Sequence, residues 1–582
     1  MQLLRGHTDV VPTLLFSPDG RSLVSAGEHG VPIYFWNLAG GMRTNPMHST
    51  SPEGRLMSGP SKLVALCLAA LLALAGAAPA AQRPNIVIIL ADDMGFSDLG
   101  CYGGEIETPN LDRLAANGLR FTQFYNTARC CPTRAALLTG LYQHQAGVGH
   151  MVGDYGVPSY QGYLNDRCVT IAEALRPAGY ATLMAGKWHV GSAPGRWPLD
   201  RGFDRYFGTP SGGGVYFKGS LKLRPNVFFL EGDKRVEVPD DFYVTDAFTD
   251  HAIRFVGEAA GQRRPFFLYL AHIAPHWPLQ AKPEDIAKYE GRYDEGWDQV
   301  RQERYERQLE LGVIDRRWKL SPRDPRARAW ESLPQEKRRD LARRREIYAA
   351  QIDCIDQNVG RLVAKLKELG VFENTLILFL SDNGCSAEGG PGGFSKGREG
   401  APIGTALSYA SGGLEWANAS DTPFRKYKMD VHEGGIATPL IAHWPAGIRR
   451  RGELEHQPGH VIDLLPTCLD AAGARFPPRR NGKDTLPPEG RSLLPAFAGN
   501  AIARDDALYW EHQGNRAVRD GKWKLVAAHN GPWELYDLEA DRTELTDLSA
   551  KFPDRTKGLA AKWEAWAERC GVKPWPVRRP KK

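Results

Sequence analysis

The sequence predicts an α/β fold: a large mixed, mostly parallel sheet flanked by helices, then a smaller C-terminal antiparallel sheet closed by a helix. Two patterns predict it. Nearly continuous apolar runs at 85–90, 265–270, 375–380 and 439–442 alternate with helical stretches. Strands buried on both faces, as in a parallel sheet covered by helices, have this composition. Beyond the Pro-, Arg- and Gly-rich connection 477–490, short runs at 517–518, 522–526 and 533–536 are separated by Gly521 and by Asn530-Gly531, the punctuation of an antiparallel meander. Composition agrees with a large core: of 582 residues, 42% are hydrophobic and 24% charged, which excludes a mostly disordered chain. Lys plus Arg is 74 against 68 Asp plus Glu, and a net of +6 over this length is not the concentrated basic charge of a nucleic-acid binder. Mean hydropathy is −0.40. A single long apolar run, 63–81, excludes a multi-span membrane protein.

Taken in order, residues 1–56 carry Gly6-His7-Thr8-Asp9, Phe16-Ser17-Pro18-Asp19-Gly20 and Phe35-Trp36-Asn37, which resemble one WD40 repeat. One blade cannot bury its own faces, so this fragment is not expected to be an independent domain. Residues 57–81 read as a secretory signal peptide, with Met57 at its start, Lys62 before the apolar run and Ala78-Pro79-Ala80 as a small-x-small cleavage site. The mature chain is then periplasmic or secreted, without a stable membrane anchor. Residues 82–490 form the expected catalytic domain and 491–582 a C-terminal subdomain. A helix is predicted over 109–117, with Thr108 as cap, Pro109 in its first position and Gly118 after its end. The stretch 283–347, dense in both charge signs, is expected to form solvated helices and loops. A long helix is expected over 336–369 and a closing one over 559–568. The nine cysteines are too sparse for a disulfide scaffold, lack zinc spacing, and leave one or two bridges open.

The chemistry is expected at strand ends. Asp92-Asp93 follows the first apolar run, His272 and His276 the second, and Asp382-Asn383 the third. Parallel sheets bind ligands beyond the carboxyl ends of their strands. Three carboxylates and an amide oxygen there suit a hard cation, Ca²⁺ or Mg²⁺, better than zinc. In Cys130-Cys131-Pro132-Thr133-Arg134, Pro132 fits a first helical turn. Cys130 then lies at a helix N-terminus, which favours anions.

That motif, with Leu138-Thr139-Gly140 downstream, resembles the signature of the sulfatases, in the alkaline phosphatase superfamily. A second sulfatase signature stands at 179–189, ending in Gly186-Lys187-Trp188-His189. The resemblance covers roughly 83–575 and is nearest to bacterial arylsulfatases. It implies an alkaline-phosphatase-like fold and hydrolysis of aryl or related sulfate esters. It also implies that Cys130 is converted to Cα-formylglycine by a formylglycine-generating maturation enzyme. The hydrated aldehyde would attack sulfur, form a covalent sulfate ester and expel sulfate by re-forming the aldehyde. The resemblance further implies one Ca²⁺ per chain, rather than Mg²⁺, held by Asp92, Asp93, Asp382, Asn383 and an oxygen of modified Cys130. Arg134 would steady the diol, and Lys187, His276 and Lys428 would hold the sulfate, with His276 as general acid. His189 would be the base, His272 structural, and Ser211 a further neighbour. The same motif serves relatives that act on phosphonate monoesters or phosphodiesters, an alternative the motif residues do not separate. A purely binding role rests only on the WD40-like start. N-terminal sequencing of the exported protein is expected to begin near residue 81 or 82; a mature chain retaining Leu63 would rule out the signal peptide.

Overall fold

The structure, a computed structural model, describes residues 83–578 and, in the preceding region, three short strands. The chain divides into two units at Ala81/Gln82. In the first, β1 (Thr13–Phe16), β2 (Ser22–Ala26) and β3 (Tyr34–Asn37) form an antiparallel sheet in the order β1-β2-β3. The expected signal peptide lies outside the described residues.

The second unit is built outward from β4 (Asn85–Asp92), all eight residues of which are buried. Helix α1 (Pro109–Ala116) and β5 (Leu119–Tyr125) follow. Pro109 opens α1 as expected. Thr108 precedes it but makes no side-chain cap: its Oγ1 accepts from the Gly100 amide (2.9 Å) and bonds Asp112 (3.0 Å). Next come α2 (Cys130–Thr139), β6 (Ala181–Lys187), β7 (Arg205–Thr209), β8 (Phe229–Glu231), β9 (Lys234–Val236), α3 (Val244–Gly261) and β10 (Phe266–Pro275). Helices α4 (Gly296–Glu310) and α5 (Gln335–Glu368) lead to β11 (Thr375–Ser381), β12 (Ala437–His443), β13 (Glu453–Glu455) and β14 (Gly459–His460). The main sheet runs β13-β5-β12-β11-β4-β10-β6-β7-β8-β9, with β14 also on β5. Strands β11, β4, β10, β6 and β7 are parallel neighbours, so the fold is mixed and mostly parallel as expected.

Register decides what meets. Ser381 pairs with Ala91 and Pro275 with Asp92, so β11, β4 and β10 end side by side. Gly186 pairs with Ala271, which puts Lys187 one strand further along the same edge. The run 439–442 departs from the parallel expectation: β12 is antiparallel to both β11 and β5. Its continuous apolar sequence reports burial on both faces, which either direction produces. Being reversed, β12 presents its start at that edge, and the segment before it carries Lys428. His272 lies inside β10 rather than after it; it is fully buried, and burial pushes its imidazole down to about 4.

The charged stretch 283–347 is less solvated than its composition suggested. Arg304 and Arg345 are buried and both bond Asp98 Oδ1 at 2.8 Å, and Arg304 also holds Glu105 (2.6 Å). Tyr348 Oη donates to Asp98 Oδ2 (2.7 Å) and to the Asp93 carbonyl (3.1 Å). The long helix α5 thus pins the loop that leaves β4.

At the C-terminus, β15 (Leu508–His512), β16 (Asn515–Asp520), β17 (Trp523–Ala527) and β18 (Glu534–Asp537) form the antiparallel sheet, with α6 (Pro553–Cys570) after it. Strand β15 was not foreseen, and α6 outruns 559–568 at both ends. The eight described cysteines are all unpaired. Among the described residues no helix is long and apolar enough to cross a membrane. The small sheet is joined to the large one by a buried ion cluster. Lys524 reaches Glu433 (2.9 Å) and Glu544 (2.8 Å), Arg542 reaches Glu433 (2.7 Å), and none of the four side chains is exposed. Removing one partner strands a buried charge. Lys524→Met is expected to cost about 3–5 kcal/mol in chemical unfolding; a loss below ~1 kcal/mol would mean the cluster is not desolvated in solution.

Candidate active site

Four β-strands and one helix deliver the candidate residues to one place. Asp92 closes β4, and its Oδ2 takes the Lys187 ammonium and faces Arg134 Nη2 (3.6 Å). Asp93 follows with φ 67°, a left-handed turn that aims its carboxylate back over the strand ends. Its Oδ2 accepts from Lys428 Nζ (2.8 Å) and faces His276 Nε2 (3.5 Å), while Oδ1 accepts from Asn383 Nδ2 (2.7 Å). Asp382 Oδ2 is gripped by Arg134 through Nε (3.0 Å) and Nη2 (2.7 Å), and its Oδ1 accepts from the Asp93 amide (3.3 Å).

Arg134 stands on α2 one turn after Cys130, which starts the helix. It also donates through Nη1 to the Lys187 carbonyl (2.9 Å). One guanidinium therefore ties α2 to the ends of both β11 and β6. Cys130, Cys131 and His189 bring their sulfur and imidazole atoms within 4.8 Å of one another. The Cys131 thiol, then the charge of Lys187 and the neighbouring His189, hold the Cys130 thiol well below its ordinary value despite burial. Burial, reinforced by Lys187, lowers His189 to about 4, so its imidazole is neutral near pH 7. Close approach explains the glycine run 212–214: a Cβ on Gly212 would lie 2.9 Å from His189 Nε2. Ser211 precedes that run and bonds Thr209 Oγ1 (2.9 Å). His276 sits just past β10, and its Nδ1 meets the Trp277 carbonyl at 2.5 Å. A carbonyl only accepts, so Nδ1 carries the proton and Nε2 is left toward Asp93.

The oxygens fit a hard cation. Asp92 Oδ1 and Asn383 Oδ1 are buried and have no hydrogen-bond donor, a costly arrangement for a buried acceptor unless a ligand satisfies it. The Asp92 and Asp93 carboxylates lie within 4.8 Å of each other and of His276. The donor set, three carboxylates and an amide oxygen, is all oxygen.

All the residues expected from sequence are thus brought together: Asp92, Asp93, Cys130, Arg134, Lys187, His189, His276, Asp382, Asn383 and Lys428. Sequence reasoning missed Glu388. Its Oε2 accepts from Lys428 Nζ (3.1 Å), Trp277 Nε1 (2.6 Å) and Ser386 Oγ (3.1 Å), and its Oε1 from Arg129 Nη2 (3.3 Å). Burial favours the neutral acid, but Lys428 and Arg129 hold Glu388 well below the usual carboxylate range. It lies in a glycine-rich loop where nothing nearby marks it. Arg129 had one signal, its place directly before Cys130.

A sheet whose strand ends gather buried carboxylates, lysines and a helix-terminal nucleophile position defines a hydrolase of the alkaline-phosphatase-like class. Residues 84–474 match the family model Sulfatase, and residues 424–557 match the model N-sulphoglucosamine sulphohydrolase, C-terminal. The chain belongs to the sulfatase family. It is 37% identical over 446 residues to the arylsulfatase of Klebsiella aerogenes, covering 74% of this chain and 96% of that protein. It is 36% identical over 527 residues to an uncharacterized sulfatase of Schizosaccharomyces pombe, covering 84% and 94%. The crystal structure of Ps i-CgsB in complex with k-i-k-neocarrahexaose superposes with a TM-score of 0.63 at 28% identity, covering 86% of this chain and 94% of that one. The protein is accordingly an enzyme, a sulfatase, and its activity is hydrolysis of sulfate esters.

Calcium is expected to raise the melting temperature of the purified protein, by about 2.7 kcal/mol of stabilisation at a hundredfold excess over Kd. Asp92→Ala and Asn383→Ala are expected to abolish the rise. An unchanged melting curve of the wild type would remove these oxygens as a cation site.

Proposed function

We propose that the protein is an exported arylsulfatase-type enzyme that cleaves aryl or sugar sulfate esters through formylglycine at position 130, with Ca²⁺ bound by Asp92, Asp93, Asp382 and Asn383. The observation that carries this reading is the pair of orphaned oxygens, Asp92 Oδ1 and Asn383 Oδ1, set at the strand ends among cations already paired with carboxylates. A bound Ca²⁺ would supply positive charge that polarises the sulfate oxygens and acidifies a neighbouring hydroxyl. Conversion of Cys130 by a formylglycine-generating enzyme would supply two hydroxyls on one carbon, one to attack sulfur and one to release it.

The rest follows from the chain's own side chains. Lys187 and Lys428, buried and charged, exchange part of their contact with Asp92 and Asp93 for sulfate oxygens. Negative charge developing there is met by preorganised donors. His276 is fixed through Nδ1 by the Trp277 carbonyl. Nε2, in the doubly protonated imidazolium facing Asp93, is therefore the atom that passes a proton to the departing ester oxygen, and the ring is left as the neutral imidazole. His189, neutral and beside position 130, takes the proton from the attacking hydroxyl. Arg134 holds Asp382 by two bonds and keeps position 130 in register with the strand ends. A sugar sulfate as natural ester is supported by the likeness to a protein crystallised with k-i-k-neocarrahexaose. Export rests on the signal-like run 57–81, and catalysis is assigned to 82–490 with 491–582 as its C-terminal subdomain.

Protein produced with a formylglycine-generating enzyme and Ca²⁺ is expected to turn over an aryl sulfate. Its position-130 peptide should carry the mass of the aldehyde. Cys130→Ala should lose on the order of 10³-fold or more in kcat, as nucleophile removal does. A wild-type preference for an aryl phosphodiester over the sulfate would move the enzyme to the phosphodiesterase class, and full activity in Cys130→Ala would overturn the mechanism.

A further inference from the structure

Beside His276, the Trp277 ring meets two further aromatic rings edge to face. Trp277 follows His276, with ring centroids 4.6 Å apart, and its Nε1 is fixed by Glu388 at 2.6 Å. Phe394 and Tyr409 pack against Trp277 at 5.3 and 5.7 Å. Arg224 Nη1 donates to the Tyr409 hydroxyl. Arg224 is half-buried, and among the described residues it has no carboxylate partner. Glu388, the nearby acid, is already engaged by Lys428 and Arg129.

A second path reaches the same guanidinium. The run Gly212-Gly213-Gly214 touches His189 at one end and Arg224 at the other: a Cβ on Gly212 would lie 2.9 Å from His189 Nε2, and one on Gly214 would lie 3.2 Å from Arg224 Nη1. The Cα atoms of residues two apart are at most ~7.6 Å from each other. Both routes lead from the reacting centre to Arg224, and the glycine route bounds its distance from the His189 ring at roughly 17 Å, the span of an oligosaccharide of two or three units. An unpaired guanidinium on an aromatic wall is a receptor for a planar or tetrahedral anion.

We infer that Arg224, held by Tyr409, binds a second anionic group of the substrate, so that the enzyme prefers sugar sulfates carrying another sulfate or carboxylate. The inference rests on the reading of the neighbouring site as a sulfatase centre. Arg224 acts on selection of the ester and not on the chemical step, and its effect appears in KM.

The test compares kcat/KM for a hexosamine bearing two sulfate groups with that for its 6-O-monosulfate, in formylglycine-bearing enzyme with Ca²⁺. The wild type is expected to favour the disulfate by about tenfold, the worth of one hydrogen-bonded charge pair, with the ratio falling as salt is raised. Arg224→Ala should bring the ratio to about one through KM, and Arg224→Lys should restore part of it. A wild-type ratio of one, or a tenfold ratio that survives Arg224→Ala, overturns the inference while leaving the sulfatase reading intact. Absence of turnover on both esters and on an aryl sulfate overturns both.

Discussion

The structure depends on pairing four carboxylates with cations at one edge of a sheet, three of them buried and Glu388 half-buried. Asp92, Asp93 and Asp382 stand where parallel strands end and Glu388 on the loop beyond β11, and each is met by a cation: Lys187, Lys428, Arg134 and Arg129. Desolvating a charge without a partner costs several kcal/mol, so the acids and the cations must arrive together. Arg134 does most to ensure this. Its two bonds to Asp382 and its bond to the Lys187 carbonyl make the position of α2, and hence of Cys130, contingent on β11 and β6.

The same electrostatic rule extends outward from the site. Asp98 is paired to Arg304 and Arg345, which anchors the loop after β4 to α4 and α5. Glu433 is paired to Lys524 and Arg542, which anchors the small sheet beneath the segment that carries Lys428. Neither cluster contains a residue of the candidate site. They are buried polar scaffolds that fix geometry rather than add net stability. The strand-end residues are fixed by this pairing, whereas Arg224, Phe394 and Tyr409 stand on loops, the elements most open to variation.

Much of this was legible in the sequence because it is local. Cys130 to Arg134 and Gly186 to His189 are contiguous, and each acidic pair directly follows an apolar run. Strand-end position and the helix N-terminus marked Asp92, Asp93, Asp382, Asn383, His276 and Cys130. The sulfatase resemblance of the two motifs and of the segment before Glu433 added Arg134, Lys187, His189 and Lys428. The helices over 109–116 and 335–368 were legible for the same reason, since caps, proline and periodicity act over a few residues.

Other features were decided only in three dimensions. The direction of β12 was not in its sequence, because an unbroken apolar run reports burial and not orientation; yet that reversal brings Lys428 to the edge where β4 and β11 end. The burial of Arg304 and Arg345 was hidden in a charge-rich stretch, since their partner Asp98 lies more than 200 residues away. Glu388 and Arg224 sit in loops with no local pattern, and their meaning comes from the partners that folding supplies or withholds. Sequence by itself determined the candidate groups, because the motifs that carry the sulfatase resemblance are contiguous in the chain. Tertiary structure decided their distances, their pairing and the groups that surround them, because ion pairing and desolvation depend on what the fold brings within a few ångströms.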